Sequence, residues 1–224
     1  MPVKKALYLA VGLVFAASAV TAQGNGAAGK KTVKAEHAVK LGDPAGDVKP
    51  ISSSEGKEYP GLDVVEFALA SDGVELTVRA TLKNKIDKLA DTTVELLIDT
   101  DNNLKTGGKS MFLEVGGFER QVHLNACLEY VDGTSACIGS FDKAVKRFYA
   151  MATVERYTGK DSATEQMAGS FNTPAPSDGK VFQAKIKYSD LGAKPGQTLR
   201  IVAREVSAGL DLDAFFPDVL LTLK

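Results

Sequence analysis

From Gly61 to the C-terminus, hydrophobic residues tend to recur at every second position. The clearest run is Val74 to Leu82, where Val74, Leu76, Val78, Ala80 and Leu82 alternate with Glu75, Thr77, Arg79 and Thr81. A segment of this kind puts one face in a core and the other in water, as an antiparallel strand does. Leu62–Ser71 alternates in its second half and is joined to this run by a Ser71-Asp72-Gly73 turn. Thr92–Asp99 is more uniformly apolar, which predicts a central strand. Met111–Val115, Phe118–Tyr130, Ser135–Phe141, Val181–Tyr188, Leu199–Ser207 and Asp218–Leu223 complete the extended segments.

Two segments read less directly. Lys143–Tyr157 has apolar spacing that suits a helix, yet Val145, Phe148, Tyr149, Thr153, Val154 and Tyr157 favour a pair of strands. Thr158–Asp178 is polar, carries Pro174-Ala175-Pro176, and is expected to be a long surface loop. The sum is about ten strands with turn signals at sandwich spacing and no long helix, which predicts an all-β fold, an antiparallel β-sandwich.

The chain before the strands differs in character. Lys4 and Lys5 precede an apolar run, Ala6–Val20, and Val20-Thr21-Ala22 offers small residues where a signal peptidase reads. Residues 1–22 are therefore expected to be a secretory signal, with a run too short for a membrane span. Gln23–Lys40 is rich in Gly, Ala and Lys and is expected to be a flexible tail that includes His37. Residues 41–224 form the expected sandwich domain, opened by the Pro- and Gly-rich stretch Leu41–Pro60.

An exported chain changes the reading of its two cysteines. Between Cys127 and Cys137 lies L-E-Y-V-D-G-T-S-A. A three-residue loop Val131-Asp132-Gly133, with Gly133 left-handed, puts Tyr130 opposite Thr134 and Cys127 opposite Cys137. Opposed residues in an antiparallel pair lie within disulfide reach, so a cross-strand Cys127–Cys137 bond is expected. Charge excludes one partner class. The signal carries two of the 27 basic residues, so the mature balance is 25 minus 28, or −3. Such a chain is not built to neutralise nucleic-acid phosphates.

Candidate chemistry collects in the turns. Asp99-Thr100-Asp101-Asn102-Asn103 ends the central strand with oxygen-bearing side chains and is followed by Thr106-Gly107-Gly108. Calcium takes six to eight such oxygens. The helix-loop-helix calcium pattern does not apply, because Leu104 stands where its glycine belongs and Lys109 where its glutamate belongs. Two readings stay open: a cation site through Asp99, Asp101 and Asn103, or a loop whose Asp and Asn cap their own backbone. Asp43 and Asp47 bracket a Pro-Ala-Gly turn, and with Asp63 at a strand start they form a second set of metal-ligand candidates able to share that site.

No catalytic constellation emerges. His123 sits in an alternating strand without a G-x-S-x-G motif, and no Gly-rich phosphate loop opens a helix. The chain has no tryptophan, so Tyr130, Tyr149, Tyr157 and Tyr188 are the candidates for stacking on a sugar.

The order of short motifs carries a resemblance. D-P-A-G-D (43–47), G-L-D-V-V-E-F-A-L (61–69), I-D-T-D-N-N-L-K-T-G-G (98–108) and K-I-K-Y-S-D-L-G-A-K-P-G-Q-T-L-R-I (185–201) together resemble the family 9 carbohydrate-binding modules and related DOMON-like domains. The start is also similar to the C-terminal domain of glucodextranase-type enzymes. The resemblance implies a jelly-roll-like sandwich, often with bound calcium, and ligands such as sugars or haem. It spans most of Leu41–Lys224, although the family's clamping tryptophans have no counterpart here. The expectation is a secreted or periplasmic, non-catalytic module for carbohydrate or another small extracellular ligand. The alternative is an envelope domain that binds a protein partner through a sheet face or edge.

Overall fold

A computed structural model describes residues 32–43, 51–52, 58–59, 63–84, 92–110, 116–136, 144–161, 163–166, 171–174, 180–207, 210–213 and 217–224. The expected signal, residues 1–22, lies outside them. In chain order the strands begin with β1 (Val33–Glu36), β2 (Ala38–Gly42), β3 (Ile51–Ser52), β4 (Glu58–Tyr59), β5 (Val64–Ser71) and β6 (Glu75–Leu82). The middle of the chain gives β7 (Thr92–Asp99), β8 (Gly108–Lys109), β9 (Gly116–Phe118), β10 (Arg120–Tyr130), β11 (Ser135–Ala136) and β12 (Val145–Tyr157). The rest is β13 (Thr164–Gln166), β14 (Phe171–Pro174), β15 (Val181–Lys187), the single-turn α1 (Tyr188–Leu191), β16 (Thr198–Ser207), β17 (Leu210–Asp213) and β18 (Val219–Thr222).

These strands make an all-β sandwich. A ten-stranded sheet runs β1-β18-β16-β7-β10-β12-β13, with β11, β14 and β17 paired at its margins, and a four-stranded sheet runs β15-β6-β5-β2. One continuous core joins their facing sides. Val94, Leu96 and Ile98 of β7 and Val122 and Leu124 of β10 share it with Phe67 and Leu69 of β5 and Leu76 and Val78 of β6. Each fully buried Leu, Val or Phe contributes about 1.5–3 kcal/mol over exposure, so the facing rows dominate the favourable side of folding.

The central position expected of Thr92–Asp99 is observed: β7 lies between β10 and β16. Its alternate residue Leu97 faces away from the main core, in a second apolar cluster with Phe118, Tyr157 and Val202. The Asp72-Gly73 turn also forms as its sequence directs. Gly73 has φ +103°, and Asp72 Oδ1 accepts the amides of Val74 at 3.0 Å and Glu75 at 2.8 Å. Those amides hold the Asp72 carboxyl below its usual range.

Several expectations need correction. The tail expected for Gln23–Lys40 is structural from Val33 onward. Val33–Glu36 pairs with β18, Ala38–Gly42 pairs with β5, and Val33, Val39 and Leu41 are buried. The segments are short and lysine-rich, so their apolar content alone is small; what fixes them is the unpaired edges that β18 and β5 present. His37 is the exposed turn between them, at φ +63°. The β1–β18 pair is parallel, so the large sheet is mixed rather than purely antiparallel.

Lys143–Tyr157 holds one strand of 13 residues, not a pair. Its partner β10 runs alongside for 11 residues, and that long ladder outweighs any turn tendency. The loop expected for Thr158–Asp178 supplies β13 and β14, which both pair with β12.

Candidate functional site

The acidic stretch emerges from the end of β7, and the sheet dictates where its first residue goes. Odd-numbered residues of β7 face away from the main core, so Asp99 points outward beside Arg200, its cross-strand partner on β16. Arg200 Nε donates to Asp99 Oδ2 at 3.0 Å, Arg200 Nη2 donates to the Gly116 carbonyl at 2.9 Å, and the guanidinium lies 4.7 Å from the Phe118 ring centroid. Asp218 approaches the same guanidinium at 3.7 Å.

Beyond Asp99 the chain folds back on itself. Asp99 Oδ1 and Asp101 Oδ1 both accept the Asn103 amide, at 3.2 and 3.0 Å. Asn103 Oδ1 accepts the Lys105 amide at 3.1 Å, and Thr106 Oγ1 donates to Asp101 at 2.9 Å. Asn102 takes a left-handed backbone, φ +54°. The self-capping reading of the loop is thus realised in hydrogen bonds.

The structure adds a residue that the sequence reading missed. Glu119 sits between β9 and β10, where its amide bonds to the Ile98 carbonyl at 3.0 Å. Its Oε2 accepts the Thr100 amide at 2.7 Å and the Thr100 hydroxyl at 3.2 Å. Its Oε1 is buried without a hydrogen bond among the described residues. Carboxylate oxygens of Asp99, Asp101 and Glu119 converge within 4.8 Å of one another. Gly107, at φ +62°, is required here, since a Cβ would run into the Phe118 carbonyl and come within 2.7 Å of Glu119 Oε1. Glu119 lies 18 residues beyond Asp101, and only the β7–β10 register reveals their proximity.

Electrostatics follow from this crowding. Burial first, then the charges of Asp101 and Asp99, raise the Glu119 carboxyl above its usual range, against the lowering effect of the Thr100 amide. Arg200 pairs with Asp99, and the Arg120 guanidinium lies near enough to Glu119 to interact with its charge. Each carboxylate oxygen carries two lone pairs, so those already accepting an N–H or O–H retain capacity toward a cation. The donor set is all oxygen, which suits a hard divalent ion such as calcium.

The remaining candidates lie elsewhere. Asp63 is buried at the start of β5, its carboxylate 3.5 Å from Lys83 Nζ. Asp43 follows β2, with its amide on the Val65 carbonyl at 3.0 Å. Both belong to the smaller sheet, and neither joins the converging carboxylates found among the described residues. Asn103 contributes loop hydrogen bonds through its side chain. Asp47 lies outside the described residues. The cysteine hairpin has the expected register, with Leu128 opposite Ala136, Glu129 opposite Ser135, and Gly133 at φ +83°. Cys127 is buried, and Cys137 lies outside the described residues.

A second polar assembly occupies the outward face of the large sheet. Arg204 Nε donates to Glu95 Oε2 across the β7–β16 ladder, Gln121 Nε2 donates to Glu95 Oε1, and Glu95 and Arg204 are 3% and 1% exposed. Tyr157 packs beside them with a buried hydroxyl that has no hydrogen-bond partner among the described residues, and burial together with Glu95 drives its proton affinity far up. On neighbouring β10 and β12, His123 Nε2 lies 3.8 Å from Glu155, so the histidine is a strand-surface residue as expected. Among the described residues the exposed large apolar side chains are Val74, Leu104 and Val131, at three separate turns. Among the described residues no helix is long and apolar enough to cross a membrane.

No protein-family model, curated protein or solved structure matches this chain. The class it belongs to is defined by its architecture alone, an all-β sandwich with an acidic cluster at one rim.

Proposed function

We propose that this chain is an exported, non-catalytic β-sandwich module that binds carbohydrate or another small extracellular ligand and carries a structural calcium ion. The observation that carries the cation is the convergence of Asp99, Asp101 and Glu119 oxygens within 4.8 Å, with Glu119 Oε1 buried and, among the described residues, without a hydrogen-bond partner. Calcium at this point ties the loop after β7 to the β9–β10 junction and supplies positive charge to three converging carboxylates. The order of motifs shared with family 9 carbohydrate-binding and DOMON-like domains supports the same reading, and the signal-like residues 1–22 support export to the periplasm or beyond.

The test is thermal melting of the mature chain in calcium and in chelator. At a hundredfold excess over its dissociation constant, one bound ion adds about 2.7 kcal/mol, which for a domain of this size is a rise of roughly 5–10 °C. Glu119→Gln removes most of that rise. A melt indifferent to chelator overturns the cation.

A further inference from the structure

We propose that the outward face of the smaller sheet is a protein-docking surface anchored by Arg79, and that its partner is a protein presenting an aspartate or glutamate carboxylate to that guanidinium. The surface is separate from the module reading above, and its test leaves the calcium melt untouched.

The register of β15, β6, β5 and β2 lays this face out. Leu76, Val78, Ala80 and Leu82 of β6 are in the core, so Glu75, Thr77, Arg79 and Thr81 face outward. Arg79 stands opposite Ala68 of β5 and Gln183 of β15, and Thr77 stands opposite Ala70 and Lys185. On β2, Lys40 is opposite Ala68 and Ala38 is opposite Ala70. Ala68, Ala70 and Thr77 are 6%, 9% and 5% exposed, low between the longer arms of Lys40, Arg79 and Lys185. The face is thus a shallow trough about 14 Å across, at about 4.8 Å per strand spacing. A small molecule needs most of its surface enclosed, which a trough on a sheet does not supply. The body of a second protein can close over it.

The cations of the face are unequally matched. Lys40 Nζ lies 2.6 Å from Glu66, and Lys185 Nζ lies 3.5 Å from Glu75 and 3.8 Å from Asp72. The Arg79 side chain has no ion pair or hydrogen bond among the described residues, although Glu66 stands opposite the next outward residue, Thr81. Its Nε is buried without an acceptor, while the side chain as a whole is half-buried and its terminal nitrogens keep contact with solvent. A stem already laid down on the sheet loses little freedom when a partner arrives, and the guanidinium fork matches the two oxygens of a carboxylate. Lys187, also without an acid partner among the described residues, is exposed at the margin opposite Glu75. The face therefore carries four cations, Lys40, Arg79, Lys185 and Lys187, against three acids, Glu66, Asp72 and Glu75. One surplus charge, held as a planar fork at the centre, complements a single carboxylate, whereas a nucleic acid calls for many unpaired cations. Arginine is enriched among the anchors of protein interfaces, and excluding water around it strengthens its bond to an acid.

A display library of random dodecapeptides, selected on the mature chain and counter-selected on Arg79→Gln, tests this. Recovered peptides should carry aspartate or glutamate. Changing that acid to its amide, or Arg79 to Gln, should each weaken binding about thirtyfold, as loss of one member of a desolvated charge pair does. Arg79→Lys keeps the charge without the fork and should fall between parent and Arg79→Gln, and Lys187→Gln should bind like the parent. Because the Arg79 side chain bonds nothing in the folded chain, Arg79→Gln should melt within about 1–2 °C of the parent. A large drop would show that Arg79 serves the fold and would overturn its role as an anchor. Peptides without an acid, or none that tell the parent from Arg79→Gln, overturn the docking surface. Displacement of the peptides by inorganic phosphate beyond the effect of chloride at equal ionic strength overturns the carboxylate partner in favour of a phosphate ligand.

Discussion

Asp99 and Arg200 face one another across the β7–β16 ladder, with Nε 3.0 Å from Oδ2 and the two side chains 0% and 9% exposed. Burial makes each depend on the other, because removing one partner leaves a desolvated charge, at a cost of about 3–5 kcal/mol. The two losses should differ. Asp99→Asn leaves Arg200 beside Asp218, whereas Arg200→Met leaves Asp99 beside Asp101 and Glu119. Arg200→Met is therefore expected to lower the melting temperature further than Asp99→Asn, and added calcium should recover part of that loss. Equal losses that calcium leaves unchanged would show that Arg200 and the ion do not share Asp99.

The Glu95–Arg204 pair gives a second test. Either single truncation, Glu95→Ala or Arg204→Ala, should cost about 3–5 kcal/mol in chemical denaturation. The double change Glu95→Leu with Arg204→Met replaces both charges by apolar volume and should cost far less than the sum of the singles. Additive losses would mean that the two side chains act separately and that their pairing contributes nothing of its own.

For Glu119 the prediction concerns pH. Its folded carboxyl is raised above the unfolded value, so the folded state holds a proton that the unfolded state has released in the interval between them. In chelator, its contribution to stability is thus present below the ordinary glutamate range, near 4.3, and is lost as pH rises through the raised folded value. Glu119→Gln should flatten that slope and, in chelator at neutral pH, melt no lower than the parent. In calcium the ion favours the charged form, so the parent's slope should diminish or reverse. Identical pH–melting profiles for the parent and Glu119→Gln in chelator would remove Glu119 as the source.

The hairpin register of Leu128 with Ala136 and Glu129 with Ser135 leads to the expectation that Cys127 and Cys137 are bonded under oxidising conditions. Closing a loop of this length stabilises by about 2–3 kcal/mol. Unreduced mass spectrometry should find the chain two hydrogens lighter than its reduced form, and reduction should lower the melting temperature. Two alkylatable thiols in the native protein would refute the bond.

How much of this was legible in the sequence depended on the range of each determinant. The alternation of Val74–Leu82, the uniform apolarity of Thr92–Asp99, the Asp72-Gly73 turn and the Asp132-Gly133 hairpin are local signals, and each gave its element, except that Val74, expected on the core face, falls in the turn before β6 and is exposed. Asp99 and Asp101 were visible as ligand candidates because they stand two residues apart in a polar turn. Glu119 was not, because nothing in G-G-F-E-R distinguishes it until β10 pairs with β7 and carries it to Thr100. Asp63 illustrates the converse: its residue type fits the chemistry, but the smaller sheet holds it beside Lys83.

The sequence by itself determined the all-β class, the inward faces of the strands and the turns, since a two-residue period and Asp-Gly chemistry act within a few residues. Tertiary structure decided that Val33–Glu36 and Ala38–Gly42 become edge strands, that the region after Tyr157 returns to pair with β12, and which acids share a site. Those outcomes depend on open strand edges and cross-strand register, which exist only once distant segments are side by side.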